Sequence, residues 1–198
     1  MDAQSGHTEC AHRSEPVKRL NVGCGDYPLP YWINLDGDAS KPHDIHSTVP
    51  PLPFGDGELD EVYAGHFLEH LSHEDAKAFL AECYRCIKPG GKLGLVVPDT
   101  REVLRRYLAS APDAVEWPHG VWWPVADLNA VCALFLYSTV QETPHRWSWD
   151  DSTLSRAMYL AGFRKINPFD RYRDPRIAQG AWYNLALEGE RPRIKTID

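Results

Sequence analysis

The stretch "LNVGCGDYPLPYWINLDGD", Leu20 to Asp38, brings together residue types that hold ligands. Gly23 and Gly25 let the backbone turn tightly after a strand-like run and let a ligand approach with no Cβ in the way. Asp36 ends the next apolar run, where a carboxylate can accept hydrogen bonds from both hydroxyls of a ribose. A dinucleotide site needs G-x-G-x-x-G opening a helix that holds pyrophosphate, with the acid about 20 residues on. Here Asp36 comes eleven residues after Gly25, with Pro28 and Pro30 between them. A helix of about 11 residues plus its turns does not fit that interval. Without a helix dipole, pyrophosphate loses its main anchor. The turn therefore reads as a site for a ligand with a ribose and no phosphate.

The elements that must position these residues alternate between strand and helix. "KRLNV", "WINLD" and "ELDEVYAG" are short runs, apolar in part and bounded by Gly, Pro or Asp, as strands are. "SHED" is a capping box from Ser72, followed by Ala76, Phe79, Leu80, Cys83 and Ile87 at helical spacing. Pro89, Gly90 and Gly91 end that helix. "KLGLVVP" reads as a buried strand, "TREVLRRYLAS" as a helix capped by Thr100, and 126–137 as an apolar helix. "STLSRAMYLAGF" is a helix ended by Gly162, and "RKI" and "AWYNLALEG" are closing strands. The alternation predicts a mainly parallel sheet covered on both faces, with ligands at the carboxyl ends of its strands.

Bulk properties narrow the function class. A chain of 198 residues suits one domain, and 43% hydrophobic with 25% charged residues is ordinary for a globular protein. Residues 1–16 are polar and aperiodic and read as a flexible tail before a single domain at 17–198. A net charge of -7 opposes nucleic-acid binding. The N-terminus lacks the apolar core of a signal peptide, and "AVCALFLYSTV" is too short to span a bilayer. The expectation is a soluble, cytoplasmic protein with no membrane partner. The five scattered cysteines suit reduced thiols, with Cys83 and Cys86 packed within a helix. His7, Cys10 and His12 fall in the tail and are best explained by it.

Several motifs in one order carry a resemblance. "LNVGCGDYPLPYWINLDGD", "PPLPFGDGELDEVYAGHFLEHL" and "ECYRCIKPGGKLGLVVPD" resemble the class I S-adenosylmethionine-dependent methyltransferases. Within them they are similar to the small bacterial type with L-N-x-G-C-G, W-x-N-x-D, L-P-F, L-E-H and L-K-P-G-G signatures. The resemblance implies an α/β Rossmann-like sandwich with a mostly parallel seven-stranded sheet, helices on both faces, and a first helix shortened or absent. It implies S-adenosylmethionine as cofactor. Gly23, Cys24 and Gly25 would lie under its methionine part and Asp36 on the ribose. Gly65 and His66 would lie beside the sulfonium at the end of the fourth strand. The family usually has Asp on the adenine amino group where this chain has Thr48. The Thr48 hydroxyl or the Val49 amide would take that edge, more weakly than a charged acceptor.

Methyl transfer is a displacement at a carbon already activated by its sulfonium, so the protein positions the nucleophile and, for a hydroxyl, removes its proton. The candidate catalytic residues are His70 of the "LEH" signature, Asp99 at the end of the fifth strand, and His145 in "PHRWSWDD". Their plainer roles are packing for His70, helix capping for Asp99 and a loop position for His145. His66, His70 and His73 do not have the spacing of a metal site, and none is expected. Trp117, Trp122, Trp123, Trp147 and Trp149 crowd two loops, where they would either pack as a lid or stack on a sugar or aromatic acceptor. Arg171, Arg173 and Arg176 form a basic run that reads as a solvated face or a contact for an anionic substrate. The expected reaction is methylation of an O or N nucleophile on a small molecule, such as a sugar, polysaccharide precursor or secondary metabolite. The alternatives are a non-catalytic S-adenosylmethionine-binding module and a methyltransferase acting on a macromolecule.

Overall fold

The computed structural model describes residues 16–109, 145–169, 174 and 184–193. Residues 1–15 of the tail, the 126–137 helix, three of the five loop tryptophans and the arginine run lie outside them. The described strands form one seven-stranded sheet in the order β3-β2-β1-β4-β5-β7-β6. These are β1 (Arg19–Val22), β2 (Ile33–Asp36), β3 (Ile45–His46), β4 (Leu59–Gly65), β5 (Ile87–Pro98), β6 (Arg164–Pro168) and β7 (Asn184–Glu190). The first five pair in parallel, and β7 runs antiparallel between β5 and β6. The two-residue β3 was not separable in the sequence from the loop around it, and β5 begins five residues earlier than "KLGLVVP" implied.

Helix α1 (His73–Cys86) starts at Ser72, whose hydroxyl accepts the Asp75 amide at 3.1 Å. Its apolar stripe, Ala76, Phe79, Leu80 and Cys83, enters the main core with Val62, Ala64, Leu93 and Leu95. Helix α2 (Thr100–Ala109) follows β5. Its cap differs from the sequence expectation, because Thr100 is the first helical residue and Asp99 supplies the cap. Helix α3 (Asp151–Leu160) opens with a reciprocal Asp150–Thr153 capping box, and its Leu154 and Met158 join the same core. Cys83 and Cys86 are buried there, and burial raises the Cys83 thiol pKa well above its usual value. They act as small apolar side chains.

The opposite face of the sheet carries Asn21, Asn34, Tyr63 and Val96, all buried. Between β1 and β2 the chain crosses in turns with no helix, ten residues where a parallel crossover ordinarily takes a dozen or more. Asn34 makes this short crossing hold. Its Oδ1 accepts the Leu29 amide at 2.7 Å and the Asn21 amide side chain at 2.9 Å. Its Nδ2 donates to the Leu29 and Trp32 carbonyls and to Asp44. A side-chain clamp thus takes the place of the missing helix. No described helix is long and apolar enough to cross a membrane.

Candidate active site

The glycine turn wraps the end of β2. The amides of Gly23 and Cys24 both donate to the Leu35 carbonyl, at 2.8 and 3.2 Å, and the Gly25 amide donates to Asp36 Oδ2 at 2.7 Å. The N–H groups of Gly23, Cys24 and Gly25 therefore all have partners within the protein and do not form a cradle of donors for a phosphate. Gly25 has a φ of +53°, and a Cβ built on it would meet no atom within 4 Å. Room for a ligand begins there. Cys24 is buried, and its thiol reaches the Pro42 carbonyl at 3.3 Å, which ties the turn to the loop before β3.

Asp36 is half-buried at the end of β2, its second oxygen accepting the Asp38 amide at 2.9 Å. Thr48 is exposed just past β3 and lies against Gly37, while Val49 packs on the core edge. The strand order then sets Thr48, Asp36, the glycine turn and Gly65 in one row across the carboxyl ends of β3, β2, β1 and β4. At strand spacings of about 4.8 Å that row is about 14 Å long, the scale of an extended nucleoside bearing an amino-acid arm.

Gly65 is required for a reason the sequence did not reveal. A Cβ on it would sit 2.5 Å from the Tyr63 hydroxyl and 2.7 Å from Asp174 Oδ2. Tyr63 donates a hydrogen bond to Asp174, and both residues are fully buried. Gly65→Ala is therefore expected to lower stability by about 1–3 kcal/mol through overpacking. A thermal-melt comparison checks this, and an unchanged midpoint would show that the pair yields without cost.

Beyond Gly65 the chain folds back in a tight turn. His66 takes a left-handed φ of +51°, Phe67 covers Gly23, and Leu68–His70 form a single 3-10 turn. Glu69 in this turn is only 1% exposed. Its Oε1 lies 3.2 Å from His66 Nδ1. Burial pushes the Glu69 pKa up, but the His66 hydrogen bond and the nearby His66, His70 and His145 outweigh it and the net shift is downward. The Glu69 carbonyl accepts the Arg146 and Trp147 amides at 2.7 and 3.2 Å. That anchor brings His145 to His70, with ring centroids 4.9 Å apart. Burial lowers the His145 pKa to about 4, helped by His70 and His66 and opposed by Glu69. The segment then crosses to β5, where Trp149 is buried and its carbonyl accepts the Thr100 amide.

Two of the three candidate catalytic residues, His70 and His145, thus meet. Asp99 caps α2, its Oδ1 accepting the Glu102 amide at 3.1 Å, and pairs in a β-bridge with Trp149. Glu69 at the centre of the group was missed, since a carboxylate inside "LEH" gives no sign of burial until the fold is known. Trp147 remains exposed and stacks on His73 at 4.2 Å, while Trp149 belongs to the core.

Residues 30–95, a third of the chain, match a protein-family model described as a methyltransferase domain. The matched segment is a methyltransferase domain, and the fold is that of the class I methyltransferases. The chain's cofactor is S-adenosylmethionine. Solved methyltransferases share the fold at low identity. A S-adenosylmethionine-dependent methyltransferase from Thermotoga maritima is 14% identical, with a TM-score of 0.58 over 90% of this chain and 84% of that one. One from Archaeoglobus fulgidus is 15% identical, with a TM-score of 0.55 over 88% and 86%. A Haloferax volcanii chain solved with the Trm112 methyltransferase activator is 15% identical, with a TM-score of 0.56 over 90% and 85%. No curated protein matches the sequence. The ribose-without-phosphate reading of the glycine turn fits this cofactor, and the first helix is absent as the resemblance implied.

Proposed function

We propose that this methyltransferase transfers its methyl group to an oxygen or nitrogen nucleophile of a small molecule. The cofactor would lie along the strand-end row. Gly23, Cys24 and Gly25 would sit under its methionine part, Asp36 on the ribose, Thr48 and Val49 at the adenine edge, and Gly65 and His66 beside the sulfonium. The observation that carries the reading is the group of His66, Glu69, His70 and His145 next to that row. A buried carboxylate ringed by imidazoles is an environment for a nucleophile that gives up a proton as it attacks. His70 and His145 are its acceptor-side groups. The net charge of -7 works against a polyanionic acceptor.

Incubating the protein and a cell extract with methyl-labelled S-adenosylmethionine tests the acceptor class. Label is expected in the small-molecule fraction by mass spectrometry, and label confined to protein or RNA would overturn the reading. His70→Gln is expected to lower kcat by about 10²-fold while cofactor affinity changes little.

A further inference from the structure

We infer that Glu69, His70 and His145 form a binding site for a divalent cation of the zinc class. One candidate ligand atom from each of the three lies within 4.8 Å of the others. Ligands around a tetrahedral zinc ion sit about 3.4 Å apart at bond lengths of about 2.0–2.2 Å, so a small contraction brings the three onto one ion.

The second observation is the state of Glu69. Its Oε1 is engaged by His66, whereas Oε2 is fully buried and has no hydrogen-bond partner among the described residues. An unpartnered carboxylate oxygen in such a place is costly and calls for an explanation. A cation shared with His70 and His145 supplies one. His66 then acts from behind, fixing the carboxylate through its other oxygen as outer-shell partners of metal ligands do. The backbone is already arranged for it, because the Glu69 carbonyl holds the Arg146 and Trp147 amides and so fixes where His145 enters.

Two imidazoles and one carboxylate are a borderline donor set, suited to zinc, cobalt, nickel or iron rather than to magnesium or calcium, which favour oxygen ligands. Three protein ligands also match catalytic sites with an open position, not closed four-ligand structural sites. On the proposed small-molecule reading, on which this last step rests, the open position takes an oxygen of the acceptor. The competing account is a proton shared between Glu69 and one imidazole, which predicts no metal uptake.

The test is calorimetric titration of zinc chloride into the chelator-treated full chain, with His7, Cys10 and His12 replaced by alanine in every sample. About one zinc per chain is expected. Affinity is expected to fall about 100-fold or more in Glu69→Gln, His70→Ala and His145→Ala, and to hold in His46→Ala, an exposed histidine on β3. Binding of S-adenosylhomocysteine identifies which variants remain folded, and His145→Ala carries the test if Glu69→Gln does not fold. Absence of zinc binding, or binding undiminished in the folded variants, overturns the site. A chelated protein that still methylates small molecules at full rate and takes up no zinc overturns the site alone. Zinc uptake as expected, with label only on protein or RNA, supports the site and overturns the acceptor reading.

Discussion

Asn34→Ala is expected to lower the free energy of unfolding by about 3–5 kcal/mol, measured by urea denaturation. The reason is the number of buried partners that depend on one side chain. The substitution strips the acceptor from the Leu29 amide and the side-chain donor from the Trp32 carbonyl, while the Leu29 carbonyl keeps only the Trp32 amide at 3.3 Å and Asn21 Nδ2 only the Tyr27 carbonyl at 3.4 Å. Each orphaned buried group costs about 1–3 kcal/mol, reduced where water can enter beside the exposed Pro28 and Pro30. Asp44 loses less, because the Asn34 backbone amide still donates to it at 2.8 Å. Asn34→Asp does not rescue: it keeps the acceptor, loses the donor and sets a second carboxylate against Asp44. Asn21→Ala, which breaks a single buried pair with Asn34, is expected to cost less than Asn34→Ala. A loss below about 1 kcal/mol for Asn34→Ala would mean that the β1–β2 crossing is held by its proline turns instead.

The same crossing shows how far the sequence could be read. Every described strand but β3, the Ser72 cap and the absent helix were legible because each depends on local chemistry: alternation, a capping box, prolines in an interval too short for a helix. The clamp by Asn34 was not, although asparagine inside a strand run is disfavoured and so signals a special contact. Its partners, Asn21 and Asp44, are brought to it only by strand pairing. Gly65 was placed beside the sulfonium by the resemblance, and the structure adds its close contacts with Tyr63 and Asp174, the latter 109 positions on and brought there only by the fold. His70 and His145 were chosen separately and meet through a carbonyl of Glu69, a backbone link that no motif encodes. Long-range placement, not residue type, is what the sequence withheld.

Asp36→Ala is expected to weaken S-adenosylhomocysteine binding by about 3 kcal/mol, or about 100-fold in Kd, measured by calorimetry. A carboxylate accepting two ribose hydroxyls makes charge-assisted bonds worth about 1.5–3 kcal/mol each. The structure adds a second route to the same loss. Asp36 Oδ2 also fixes the Gly25 amide and Oδ1 the Asp38 amide, so the free protein loses the anchor of its glycine turn before any ligand arrives. Asp36→Asn separates the two routes, since its oxygen can still accept from Gly25 while its NH2 opposes the Asp38 amide and its charge is gone. That variant is expected to lose about tenfold. Asp26→Ala, which removes an exposed partner of Lys41, is expected to leave affinity unchanged. Should Asp36→Ala bind within about twofold of the parent, the ribose is not held at the end of β2. The carboxylate would then serve the turn alone, and the room above Gly25 would admit the cofactor in a different orientation.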